Sequence, residues 1–210
     1  MRLKKTFGLF LAAFVSGCAA FAPAPLPLPP ETAKLKPSSI RAEAVVELKK
    51  PVPLSGKAVI IAKSPGSFRI EVLGPFSHTL ALLVSDGESL YMFSRGQSSR
   101  FGWDDPELPY PFKAEEVVSF LLGAGPVNGG GAEGQIVSTD AEGHITKITR
   151  IKDGSPVFTA SLSDYRIAGG AHIPFNISIE NGKEGLSIRY SSVEINPEIN
   201  SDFFNADGLP

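Results

Sequence analysis

Few side chains in this 210-residue sequence are of a type that does covalent or metal chemistry. The single cysteine, Cys18, directly follows Val15-Ser16-Gly17. A thiolate is a nucleophile and a soft metal ligand, but one cysteine alone forms neither an internal disulfide nor a cysteine-rich metal site. The three histidines, His78, His144 and His172, show no Glu-x-x-His or His-x-x-x-His spacing, so each is expected as a turn or surface residue and not as a metal ligand. No Gly-x-Ser-x-Gly elbow presents a serine nucleophile. The glycines at 129–131 are not followed by Lys-Ser or Lys-Thr, so they cannot cradle and neutralise phosphates. Asp104 and Asp105, after Trp103, and Asp202 offer carboxylates, yet isolated acids beside turns are normally solvated. The expectation is a protein that is not an enzyme and uses no metal or cofactor. A hydrolase assembled from Asp104, Asp105 and the histidines is the weaker alternative, since catalytic groups can converge in space without a sequence signature.

The role of Cys18 follows from what precedes it. Arg2, Lys4 and Lys5 lead into an apolar run from Phe7 to Val15, the charged and apolar regions of a secretory signal. That run is too short to cross a hydrocarbon layer of roughly 30 Å, which takes about 20 apolar residues. The apolar-small-small-Cys order resembles the lipobox of bacterial lipoproteins, in which the thiol is lipidated, the preceding peptide is removed and the new amine is acylated, commonly with palmitate. The resemblance implies a signal peptide over residues 1–17 and a lipid anchor on Cys18. Ala19, in place of Asp, implies an outer-membrane destination with the protein facing the periplasm.

Loss of Arg2, Lys4 and Lys5 takes the formal charge from −2 to −5, which argues against a nucleic-acid partner, whose phosphates need clustered Lys and Arg. Prolines at 23, 25, 27, 29 and 30 make residues 18–31 a semi-rigid spacer of polyproline type. One folded domain is expected over 32–205, with a short tail over 206–210.

Within that domain the hydrophobic period is mostly two, broken at regular intervals by turn residues, which predicts an antiparallel β protein. Strands are expected near 40–49, 55–63, 67–73, 79–85, 89–94, 132–139, 143–151, 156–165, 173–180 and 185–195. Ser64-Pro65-Gly66, Asp86-Gly87, Glu142-Gly143, Asp153-Gly154 and Asn181-Gly182 supply the turns. Residues 112–123 are the exception. Glu115 and Glu116 lie in a first turn, Val117, Phe120 and Leu121 form a stripe and Gly123 can end it, so a helix of about three turns is expected there.

Phe68 to Phe93, with the turn Gly74-Pro75-Phe76-Ser77 between two apolar strands, resembles the central strands of the LolB lipoprotein receptors in the wider LolA/LolB lipoprotein-sorting group. The segment 112–123 with Pro126 resembles that group's helix, and Ile173-Pro174-Phe175 followed by strands ending in Val193-Glu194-Ile195-Asn196 is similar to its last hairpin. The resemblance implies a mainly β fold, an incomplete, open antiparallel β-barrel of about ten to eleven strands with a covering helix over an apolar cavity. It implies that lipoprotein acyl chains are the ligand, that a soluble LolA-like carrier can supply them, and that they pass to the outer membrane. Gly74, Pro75 and Phe76 would form the membrane-contact turn. Parity places Phe68, Ile70 and Val72 on the apolar face, with Leu80, Leu82 and Val84 on the matching face of the next strand and Val117, Phe120 and Leu121 above them. An ordinary filled β core has the same pattern. The alternative function is an envelope-assembly or protein-interaction module of the same fold without acyl transfer.

Overall fold

The computed structural model describes residues 35–49, 53–106, 108, 112–125, 134–182 and 184–206. The expected signal peptide over 1–17, Cys18, the expected proline-rich spacer and the glycines at 129–131 lie outside these residues.

Alternating strands with a covered face need a partner on each side, and tight turns decide that most partners are sequence neighbours. Among the described residues eleven strands form one antiparallel sheet: β1 (Ser39–Leu48), β2 (Leu54–Lys63), β3 (Ser67–Leu73), β4 (Thr79–Asp86), β5 (Ser89–Ser94), β6 (Gln97–Gly102), β7 (Gly134–Thr139), β8 (Ile145–Lys152), β9 (Ser155–Ala168), β10 (Ala171–Glu180) and β11 (Gly185–Ile195). Their order is β6-β5-β4-β3-β2-β1-β11-β10-β9-β8-β7. Every neighbour pair is a hairpin except β1 with β11, which joins the two ends of the domain at the centre of the sheet. Asp153 and Gly154 both adopt positive φ, 51° and 76°, the conformation a two-residue hairpin loop requires.

β6 and β7 are the two edges, and the chain between them carries the one helix of the described residues, α1 (Ala114–Leu121). The connection that crosses from edge to edge therefore lays α1 over the sheet. This is the expected open half-barrel with a covering helix. β6 lies outside the expected strands: its residues, Gln-Ser-Ser-Arg-Phe-Gly, are nearly all exposed and give no apolar alternation.

The concave face holds the main core, with Ile40, Ala42, Ala62, Phe68, Val72, Ile173 and Ile177 at its centre and Val118 and Leu121 of α1 packed into it. A smaller cluster forms on the opposite face, where Ile61 meets Ile199 and Phe204. The short 3₁₀ turn Ser201–Phe204 packs there on β3 and β4. Asn200 starts that turn by accepting the Asp202 amide on its side chain at 3.1 Å.

Candidate functional site

A cavity of about 90 Å³ lies between the concave face and α1. The sheet supplies Phe68, Ile70, Leu83, Leu90 and Met92 on one side, and Ile177, Ile179, Leu186 and Ile188 on the other. Val117, Phe120 and Leu121 of α1 close it from above, and Trp103, Leu108 and Phe112 line it from the connection that follows β6. The lining carries no charged group. Its one buried polar atom without a hydrogen-bond partner among the described residues is the indole Nε1 of Trp103. A buried donor left unpaired costs about 1 to 3 kcal/mol, so an acceptor that reached Trp103 Nε1 would be favoured.

Two polar contacts hold α1 over the cavity. The Glu116 carboxylate pairs with the Arg150 guanidinium on β8, and its other oxygen accepts the Lys113 amide at the start of the helix at 3.0 Å. Arg150 also lies over the Phe158 ring, 4.9 Å from its centroid, and burial lowers its pKa. At the other end of α1, the buried Tyr190 hydroxyl donates to the Leu121 carbonyl at 3.1 Å. Phe112, Phe120 and Phe158 meet edge-on, with centroids 4.6 to 6.0 Å apart, and seal the β8–β9 side. Gly123 ends the helix with φ 64°, and a Cβ there would stand 2.3 Å from the Pro174 ring, so only glycine fits.

The residues expected at the cavity fall into four groups. Phe68, Ile70, Val117, Phe120 and Leu121 line it. Val72 is on the same sheet face but is packed into the core below. The expected matching face of β4 is corrected by the register. Ile70 stands opposite Leu83 and Val72 opposite Ala81, whereas Leu82 faces Glu71 and Val84 faces Arg69. Residues directly opposite in an antiparallel pair share a face, so Leu82 and Val84 point to the back of the sheet, where Ile61 and the 3₁₀ turn lie. β4 reads Thr-Leu-Ala-Leu-Leu-Val-Ser-Asp and is buried on both faces, so apolar residues at both parities hid the choice. A register shift beside Val72 and Leu73 sets Leu80 apart from both groups, in a separate cleft with Leu48, Leu54 and His78.

The turn Gly74-Pro75-Phe76-Ser77 holds Phe76 fully in solvent, 102% exposed, with φ 63°. The Gly74 amide donates to the His78 carbonyl at 2.8 Å and the Ser77 amide to the Gly74 carbonyl at 3.2 Å, so the turn is closed at its base. A Cβ on Gly74 would stand 2.8 Å from the His78 ring and 2.9 Å from Leu80. Beside the turn, Glu71 accepts from Thr79 at 2.6 Å and from Arg69 at 3.1 Å. Burial raises the Glu71 pKa, but these bonds and the Arg69 charge outweigh it, so the carboxyl sits below its usual range.

The residues that sequence reading missed are Leu83, Leu90, Met92, Trp103, Leu108, Phe112 and the four from β10 and β11. Their signal existed for β10 and β11, where Ile177, Ile179, Leu186 and Ile188 alternate. Trp103 and Leu108 sit in irregular chain, where no period marks a face.

No protein-family model matches this sequence, and no curated protein matches it. Solved structures do match in shape. A LolA superfamily protein from Nitrosomonas europaea aligns over 84% of this chain and 94% of its own, at 13% identity and a TM-score of 0.55. A domain assigned to outer membrane lipoprotein sorting, from Vibrio parahaemolyticus, aligns over 80% of this chain and 89% of its own, at 12% identity and a TM-score of 0.54. The likeness is one of fold: the chain shares the open β-barrel architecture of these LolA-type proteins.

Proposed function

We propose that this domain binds the acyl chains of lipoproteins in the cavity beneath α1 and, tethered to the outer membrane through Cys18 as a LolB-like receptor, helps to deliver them there. The observation that carries the reading is the uncharged cavity closed by a helix that the Glu116–Arg150 pair and the Tyr190–Leu121 bond fasten. Each methylene moved from water to such a site gains roughly 0.8 kcal/mol, so a hydrocarbon chain is the ligand this lining favours and hydrolysis of a nucleotide is not needed to load it. The cavity of about 90 Å³ is smaller than the roughly 150 Å³ that houses one benzene, so a chain enters by displacing lining side chains and lifting α1. Met92, unbranched and flexible, is suited to make that room. The Trp103 indole then donates to an ester or amide carbonyl at the head of the chain.

Phe76 supplies the delivery contact. Its ring gains on the order of 1.5 to 3 kcal/mol on entering the apolar edge of a bilayer, and the closed turn presents it at no further ordering cost. No covalent step belongs to this function, and a soluble periplasmic carrier of the same fold is the natural donor.

The test is mass spectrometry of lipid extracted from full-length Cys18→Ser protein purified without detergent, so that the protein's own anchor is not counted. Co-purified acyl chains or diacylglyceryl peptides support the reading. Their absence, together with no uptake of a synthetic diacylated lipopeptide, overturns it. The small resting volume favours the second reading, an envelope-assembly module whose interior stays shut, and that is the function left by such a result.

A further inference from the structure

Outside the cavity, the turn between β7 and β8 clusters Asp140, Glu142 and His144, and β10 brings His172 against them from 28 residues away. Asp140 Oδ1 accepts the amides of Glu142 at 2.9 Å and His144 at 2.8 Å, so one oxygen of this carboxylate builds the turn. The other, Oδ2, lies 3.0 Å from His144 Nδ1, and Glu142 Oε2 lies 3.4 Å from the same nitrogen. All three atoms fall within 4.8 Å of one another.

The ring of His144 is fixed from two sides. It stacks on Tyr165 with centroids 4.5 Å apart, and its Nε2 lies 2.9 Å from His172 Nδ1 on β10. Tyr165 is itself held by donating to the Ile145 carbonyl at 2.7 Å.

We propose that Asp140 Oδ2, Glu142 Oε2 and His144 Nδ1 form a binding site for a divalent first-row transition metal, with zinc as the best-fitting ion and His172 as a positioning residue. Ligand bonds of about 2.0 to 2.1 Å at tetrahedral angles put neighbouring ligand atoms about 3.3 Å apart, which the 3.0 and 3.4 Å spacings bracket. Glu142 is mostly exposed and free to close the remaining edge. For Nδ1 to bind metal, the His144 proton must sit on Nε2, and His172 Nδ1 is placed to accept it, in the position that a carboxylate, carbonyl or water more often takes around a ligating imidazole. Three protein ligands leave the fourth position to water or to a group brought by a partner. Magnesium and calcium prefer six or more oxygens, so one imidazole with two carboxylates selects against them. The site shares no lining residue with the cavity and stands independently of the acyl-binding reading.

The experiment is equilibrium dialysis of untagged full-length protein against zinc chloride, with magnesium chloride as control, and metal content read by mass spectrometry. The expected result is one zinc per chain and no retained magnesium. Glu142→Ala, an exposed change that leaves the turn's backbone bonds in place, and His144→Gln should each weaken zinc binding at least about tenfold, and His172→Phe about 10-fold to 100-fold. His78→Ala is the control that leaves it unchanged. Failure to bind zinc at about 100 μM, or binding that Glu142→Ala and His144→Gln leave unchanged, overturns the proposal.

Discussion

Glu116, in the first turn of α1, is paired with Arg150 across the mouth of the barrel, and both are largely buried. Removing one partner of such a pair strands the other charge, at a cost of about 3 to 5 kcal/mol, whereas replacing both with apolar residues of similar size is far milder. Glu116→Leu and Arg150→Met alone should therefore each lower the urea midpoint sharply, and the double variant carrying both should lower it less than the two singles combined. A double-mutant cycle measures the difference. Strict additivity would remove the pair as the fastening of α1.

Leu82 and Leu83 are chain neighbours on opposite faces of β4. Leu82→Ala should cost about 2 to 4 kcal/mol of stability and leave lipopeptide affinity unchanged, because its cavity opens at the back of the sheet. Leu83→Glu should cut lipopeptide affinity, since it places a carboxylate in the uncharged lining. The two variants compared by chemical denaturation and by lipopeptide titration check the register directly.

Phe76 contributes nothing to the core, so Phe76→Asn, which accepts the positive φ, should leave the melting temperature unchanged. Binding to vesicles of outer-membrane phospholipid should fall about 10-fold to 100-fold, the equivalent of 1.5 to 3 kcal/mol. Co-sedimentation with the Cys18→Ser protein reads this without the lipid anchor.

Alkaline pH should loosen the domain through two phenols. Burial, aided by the Asp140 charge, pushes the Tyr165 pKa up to about 12, and burial pushes Tyr190 up as well. In the unfolded chain both ionise near pH 10, so their contribution to stability is complete below about pH 10 and is lost as pH rises above it. Tyr190→Phe should cost about 1 to 2 kcal/mol at neutral pH through the lost bond to Leu121, and should show a shallower fall in stability between about pH 10 and 12. An unchanged slope in that range would contradict the burial argument for this hydroxyl.

How much of this was legible in the sequence depends on which signal each element carries. The strict alternation of Phe68, Ile70 and Val72 and the turn pairs Asp153-Gly154 and Asn181-Gly182 are local, so β3 and the hairpins could be placed from residues alone. The stripe on α1 was equally visible, and three of its members do line the cavity. β4 defeated parity because Leu82, Leu83 and Val84 are apolar in succession, and only pairing decides which of them faces inward. β6 was invisible because its polar residues are held by main-chain pairing to β5 at an edge. His144 and His172 are 28 residues apart and meet only through the stacking of β8, β9 and β10, information that no spacing rule contains.

Trp103 is the single tryptophan of the chain and stands in the cavity wall, so its fluorescence reports on that space. Titration of the Cys18→Ser protein with a synthetic diacylated lipopeptide should give a saturable change in Trp103 emission at one lipopeptide per chain, abolished by Leu83→Glu and retained in Phe76→Asn. Emission that stays constant up to lipopeptide saturation, or a change that Leu83→Glu leaves intact, would contradict acyl binding beneath α1.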